Sequence, residues 1–205
     1  MTARSVSIAI AGSGGAGVIT AGTLLLEAAG QAGWYAYMTR SSGPQIRGGE
    51  AAAMIRLSTD PVASHDDHFH ALVAIDWNNV GRFAAELPLS RDSLVIADPQ
   101  EGEAPPQIRE SGATPVALAM KELAKAIPGG RPNMVAMGAV AALIGLPEEP
   151  ILEMLRKVLK RKGEEAVQAS IAALRAGMNA ARNYPAIPRL PAAKTDSGAR
   201  WSITG

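Results

Sequence analysis

The chain has 205 residues, of which 47% are hydrophobic, 19% charged and only 4% aromatic, with a formal net charge of +1. That composition supports one aliphatic core built on Ala, Val, Ile, Leu and Met, and a near-neutral charge provides no electrostatic footprint for nucleic acid or an anionic membrane surface. The absence of cysteine excludes disulfides and any iron–sulfur cluster ligated by this chain's own thiolates.

In chain order, residues 5–11 read as a buried strand, a continuous apolar run stopped by glycine. Residues 15–32 read as a helix with a broad apolar face from Val18 to Ala28, closed by Gly30 and Gly33. Residues 34–39 form a second strand, so the chain opens as a βαβ unit, for which a right-handed crossover to a parallel strand is expected. A Ser/Gly/Pro-rich loop over 40–50 leads into a strand over 51–58. Further strands are predicted over 71–75, ending at Asp76, and over 93–97. Residues 80–87 are expected to be helical, and 98–113, with three prolines, to form a loop. Helices follow over 117–127, 134–144, 148–159 and 164–182. From Tyr184 the composition shifts to Pro185, Pro188 and Pro191 among Ala, Ser, Lys and Asp, the signature of a linker. The predicted fold is α/β: a mainly parallel sheet flanked by helices, with a Rossmann-like βαβ opening and an extended C-terminal tail. The predicted domain boundaries are 1–184 for the globular part and 185–205 for the linker. With no secretion signal and no apolar run of membrane-spanning length, a cytoplasmic protein is expected.

Two glycine clusters carry the functional signal. The first, Gly12-Ser13-Gly14-Gly15-Ala16-Gly17, lies between the first strand and the first helix, where α/β proteins present backbone amides to an anion. Gly12, Gly14 and Gly17 satisfy the dinucleotide spacing, but the second strand ends Thr39-Arg40-Ser41 with no acid for a ribose. Arg40 with Ser41 would suit a 2′-phosphate, so a freestanding NADP-binding protein or reductase is the alternative reading, set against a tight turn that binds nothing or meets a partner chain. The second cluster, Arg47-Gly48-Gly49, has no role in dinucleotide binding; Arg47 offers a planar fork to a carboxylate or phosphate. His65, His68 and His70 with Asp66 and Asp67 raise a metal hypothesis, but their spacing is not that of a helical His-x-x-x-His site, and a solvated loop is the preferred reading. No catalytic triad, zinc-protease helix or P-loop is present.

Taken together, these segments resemble the gamma subunit, or gamma domain, of the 2-oxoacid:ferredoxin oxidoreductases, the group of pyruvate, ketoisovalerate, indolepyruvate and 2-oxoglutarate enzymes. The resemblance rests on the glycine loop followed by Val18-Ile19-Thr20-Ala21-Gly22, and on Gly43-Pro44-Gln45-Ile46-Arg47-Gly48-Gly49 before the strand with Ile55-Arg56-Leu57-Ser58. It rests further on Ala71–Asp76, on Asn133 before Met137-Gly138-Ala139, and on Lys162. It spans residues 5–182. Ala16 departs from the family, which usually has Gln there. The last six residues, Arg200 to Gly205, resemble the opening of the thiamine diphosphate domain in fused members.

The resemblance implies a subunit of a complex that decarboxylates a 2-oxoacid oxidatively to an acyl-CoA, using thiamine diphosphate, Mg2+, iron–sulfur clusters and CoA. It also implies alpha and beta subunits or domains that bind the thiamine diphosphate, and ferredoxin as acceptor. No G-D-G…N diphosphate motif occurs here, so this chain is expected to contribute no catalytic residue and to be inactive alone. By the same resemblance Gly12, Ser13, Gly14, Gly15, Ala16, Gly17, Arg47, Gly48 and Gly49 are candidates for CoA phosphates or for the interface with the catalytic subunit. The motif form and the tail look closer to the 2-oxoglutarate type.

Overall fold

The computed structural model describes residues 3–43, 49–78 and 80–192. A six-stranded sheet forms its centre. Strand β1 (Ser5–Ser13) is followed by helix α1 (Val18–Gln31), β2 (Tyr35–Ser42), β3 (Glu50–Ser58), β4 (Ala71–Ala74) and β5 (Leu94–Ala97). Then come α2 (Pro106–Glu110), β6 (Thr114–Ala117), α3 (Met120–Lys125), α4 (Pro132–Ile144), α5 (Glu148–Leu159) and α6 (Glu164–Ala180).

The strand order is β2-β3-β1-β4-β5-β6. β3 runs antiparallel to both β1 and β2, and β1, β4, β5 and β6 pair in parallel. Five of the six strands therefore share one direction, which bears out the α/β class. The opening unit differs from the expected one. β2 does run parallel to β1, but β3 is inserted between them, so β1–α1–β2 is a split crossover rather than a pair of neighbours.

Each face of the sheet is sealed differently. On one face Val6, Ile8, Ile10, Ile55 and Val73 meet α1 and α4. α4 has almost no polar side: eleven of its thirteen residues are buried, because α6, α1 and α3 all pack against it. On the second face Ala9, Ala11, Ala52, Leu72 and Val95 lie under Phe69, Val80, Phe83, Leu87 and Ile108.

Three local readings are corrected. Residues 80–87 form not a helix but two short 3₁₀ turns, Val80–Arg82 and Ala84–Glu86, separated by Phe83 at φ −124°. The expected loop over 98–113 contains a 3₁₀ turn at Pro99–Glu101 and the short helix α2. The helix expected from residue 117 begins at Met120, and the residues before it form β6, an edge strand too short and too proline-marked to read as one.

Residues 185–192, where the extended tail was expected to begin, are extended and fastened to the body. Ile187 and Leu190 are buried. The Arg189 guanidinium donates to the carbonyls of Leu143 and Ala142 at the end of α4, and Trp34 Nε1 donates to the Pro191 carbonyl at 3.0 Å. Residues 193–205, with the segment likened to a following domain, lie outside the described residues. Trp34→Phe is expected to cost about 1–2 kcal/mol, the net worth of one buried hydrogen bond plus some packing, read as a lowered midpoint in denaturant unfolding.

Candidate functional site

The chain leaves β1 toward β2 on one side and returns through β3 to β4 on the other, so the carboxyl ends of β1 and β4 flank the switch point of the sheet. Open α/β sheets place ligands in that crevice. The first glycine cluster sits there: β1 runs on through Ser13, and Gly14 to Gly17 turn the chain into α1. Gly15 (φ 102°) and Gly17 (φ 85°) occupy the left-handed region, which favours glycine.

The two glycine clusters meet. The Gly14 amide donates to the carbonyl of Gly49, and a Cβ on Gly14 would lie 2.9 Å from that oxygen. Arg47 and Gly48 lie outside the described residues; Gly49 is the member of that cluster the structure places, and it is buried. Asn133, at the start of α4, donates from Nδ2 to the Gly17 carbonyl at 3.2 Å and fills the space a Cβ on Gly17 would need. Gly22, one turn into α1, permits the helix to lie on β3, since a Cβ there would be 2.5 Å from that of Ala53.

The residue that organises the loop is Asp76, directly after β4. The residue is 8% exposed. It accepts from the Ser13 amide at 2.9 and 3.1 Å, from Ser13 Oγ at 2.7 Å and from the Asn78 amide at 3.0 Å. Asp76 was legible only as the end of a strand; an acid closing the apolar run Ala71–Ile75 beside a glycine loop was the available signal. Glu50, paired in register with Ser13, is likewise buried and faces Arg82 across 3.5 Å.

The Ser13, Gly14 and Ala16 amides are spent on Asp76, Gly49 and Ser13 respectively. Gly15 and Gly17 donate to no other described residue, and a Cβ on Gly15 would meet nothing within 4 Å. The first amides of α1 have no acceptor within the helix. The open amides are therefore those of Gly15 and of Gly17 to Thr20, at the positive end of a 14-residue helix with no acid in its first turn.

Around the rim stand the buried Asp98 and the partly buried Glu101. Asp98 accepts from the amides of Gln100 and Lys121, and Glu101 pairs with the Lys121 ammonium. The Glu101 bond, opposed by partial burial and helped by Asp98 and Asp76, holds the Lys121 pKa above the ordinary lysine value. Among the described residues, Asp76, Asp98, Glu101 and Glu50 stand here against Lys121 and Arg82, so the positive potential of the loop comes from its backbone dipoles.

The histidines take no part in this site. His65 bonds Thr39 and His70 bonds Ser7, and among the described residues no three His, Cys, Asp or Glu side chains are grouped to hold a metal ion. The NADP reading loses its geometry. In a dinucleotide fold the end of β2 adjoins β1, whereas here β3 intervenes and sets Arg40 two strand spacings from β1, about 10 Å.

Residues 7–180 match the family model described as pyruvate ferredoxin/flavodoxin oxidoreductase. The chain is 33% identical over 180 residues to the 2-oxoglutarate synthase subunit KorC of Archaeoglobus fulgidus, covering 81% of this chain and 84% of that one. Among solved structures it is similar to the gamma subunit of a keto/oxoacid ferredoxin oxidoreductase from Geobacter sulfurreducens, with 28% identity and a TM-score of 0.65, covering 86% of this chain and 98% of that one. It shares its fold with part of a 2-oxoglutarate:ferredoxin oxidoreductase from Magnetococcus marinus (24% identity, TM-score 0.80, 94% of this chain). It spans about a third, 34%, of that longer chain, whose structure holds 2-oxoglutarate, coenzyme A and succinyl-CoA.

Proposed function

This chain belongs to the pyruvate ferredoxin/flavodoxin oxidoreductase family, and from that premise we propose that it serves as the gamma-type subunit or domain of a 2-oxoacid:ferredoxin oxidoreductase. The observation that carries the reading is the match, over 81% of this chain and 84% of the relative, to the subunit of an archaeal 2-oxoglutarate synthase. The proposed reaction is oxidative decarboxylation of a 2-oxoacid, with 2-oxoglutarate the favoured substrate, to an acyl-CoA. Thiamine diphosphate with Mg2+ and iron–sulfur clusters, held by partner alpha and beta subunits or domains, would supply the carbon and electron chemistry, with ferredoxin as acceptor. The chain lacks the cysteines a cluster needs, and no helix among its described residues is long and apolar enough to cross a membrane. A cytoplasmic location is part of the same proposal.

Within that assembly the loop from Gly12 to Gly17, with Gly49 behind it, is the proposed contact for a CoA phosphate or for the neighbouring catalytic subunit. Arg47 and Gly48 belong to the same proposal on sequence alone. What this chain supplies is binding and orientation. Asp76 and Gly49 consume the inner amides, which fixes the loop and leaves Gly15, Gly17 and the first turn of α1 facing outward. Such amides favour an anion without adding a titratable group.

Two measurements test this. The complex isolated from its own cells is expected to contain cluster- and thiamine-bearing partners and to reduce ferredoxin only with a 2-oxoacid and CoA present; a lone chain without such partners would refute it. Ala16→Asp puts a carboxylate beside the open amides. If the loop meets CoA, the KM for CoA rises about tenfold, equivalent to about 1.4 kcal/mol, with an intact complex. If it meets the partner subunit, the complex dissociates on size exclusion instead.

A further inference from the structure

Residues 59–70, which connect β3 to β4, cross the second face of the sheet at the ends of the strands remote from the glycine loop. Two imidazoles fasten this segment. His65 Nε2 lies 2.5 Å from Thr39 Oγ1 on β2, and its ring meets Tyr37 edge-on with centroids 5.0 Å apart. His70 Nδ1 accepts from the Ser7 amide of β1 at 3.1 Å, while the His70 amide donates to the Ser7 carbonyl at 2.8 Å. Between the two rings, Arg56 of β3 reaches the carbonyls of Ser64 and His65 at 3.4 and 3.3 Å.

Both rings fit only as neutral imidazoles. An amide N–H is a donor, so His70 Nδ1 must carry its lone pair; adding a proton there turns the bond into two donors facing each other. His65 Nδ1 is buried with no hydrogen-bond partner, and its other nitrogen is already on Thr39. A charged His65 would bury an N–H without an acceptor and set a second cation beside Arg56, at a cost typical of unsatisfied buried donors.

From this geometry we infer that residues 59–70 form an acid-released clasp, held to β1 and β2 by neutral His65 and His70 and freed when the two rings take up protons. The groups facing the rings agree. His65 is faced by Tyr37 from β2 and by Arg56 from β3, whose guanidinium in turn pairs with Asp66; His70 is faced by His68 and Asp66. β1 and β5, which flank His70, carry no titratable side chain. Burial first, then Arg56, lowers the His65 pKa; burial first, then His68, lowers that of His70 against the opposing pull of Asp66 and of the Ser7 backbone. A His pKa lowered on folding contributes its stability in full above the unfolded value, about 6.5, and loses it as the pH falls below that value.

The test is amide hydrogen exchange on the full-length protein in the assembly in which it is isolated, at about pH 7.5 and about pH 5.5, corrected for intrinsic exchange rates. Amides of residues 59–70 are expected to exchange about tenfold faster at the lower pH, while those of α4 and α6 do not change. In the double variant His65→Gln, His70→Asn, where the Asn Oδ1 takes over the acceptor role of Nδ1 and neither side chain titrates, the pH response is expected to vanish. Protection that is unchanged by pH in the native protein, or a response that persists in the double variant, overturns the inference. Side-chain NMR titration of the native protein decides independently of any variant: His65 and His70 titrating below about 6.5 support the clasp, and ordinary or raised values refute it.

Discussion

Asp76→Ala is expected to lower the melting temperature by roughly 10 °C, equivalent to about 3 kcal/mol in a chain of this size. The buried carboxylate accepts three donors, the Ser13 amide, Ser13 Oγ and the Asn78 amide. Alanine replaces none of these bonds and leaves both amides without an acceptor in a closed corner of the fold. Because hydrogen bonds to a charged group contribute more than neutral ones, the loss exceeds that of an average polar deletion. Asp76→Asn separates charge from shape: one acceptor oxygen stays, but the new NH2 faces donors, so a smaller loss is expected. Thermal unfolding of the two variants beside the native protein checks this. A loss below about 1 kcal/mol for Asp76→Ala would mean that the glycine loop is held by its own conformation and not by this side chain. The same variant in the complex links stability to function, since a loop released from Asp76 no longer holds Gly15 and Gly17 in a fixed orientation.

The second large effect is expected at Gly138→Ala. In an exposed helix that change stabilises by about 1 kcal/mol. Here the sign reverses. α4 and α6 cross backbone to backbone: a Cβ on Gly138 would drive into the Leu174 carbonyl and come within 3.0 Å of the Met178 amide, and a Cβ on Gly177 would meet the Val135 carbonyl and the Ala139 amide in the same way. Neither helix can move away freely, because α4 is pinned between α6 and α1. A destabilisation of about 2–3 kcal/mol is expected for Gly138→Ala, with a similar loss at Gly177→Ala, measured by denaturant unfolding. A neutral or stabilising result at either position would show that the helices separate at little cost.

How much was legible in the chain depended on how local the determining physics was. β1, β3, β4 and β5 were readable because each is a short apolar run ended by Gly, Asp or Ser, and the glycine turn into α1 because its residue types permit little else at that place. α4 was readable as an apolar helix but not as the central one, since an all-round apolar pattern states that a helix is covered and not by what. β6 was missed because its four residues include Pro115 and only one partly buried apolar side chain, Val116; it is a strand because β5 offers it a ladder. The 3₁₀ turns at Val80–Arg82 and Ala84–Glu86 carry helical spacing, but Phe83 leaves helical geometry to pack against the second face. The proline-rich segment from residue 185 registered as extended; its attachment through Trp34, Arg189 and Leu190 depends on residues up to 157 positions away.

Residue type over short spans sets the α/β class, the aliphatic core, the glycine turn at the head of α1 and the absence of any cluster-binding thiolate. Tertiary structure decided the rest. It placed β3 between β1 and β2, which removed the dinucleotide geometry from Arg40, and it brought Gly49 under Gly14, Asn133 to Gly17 and Asp76 to Ser13. Each of those contacts joins residues 35 to 116 positions apart in the chain. A hydrogen bond acts over about 3 Å, so its partner is selected by the packing of the sheet and helices and not by neighbours along the chain.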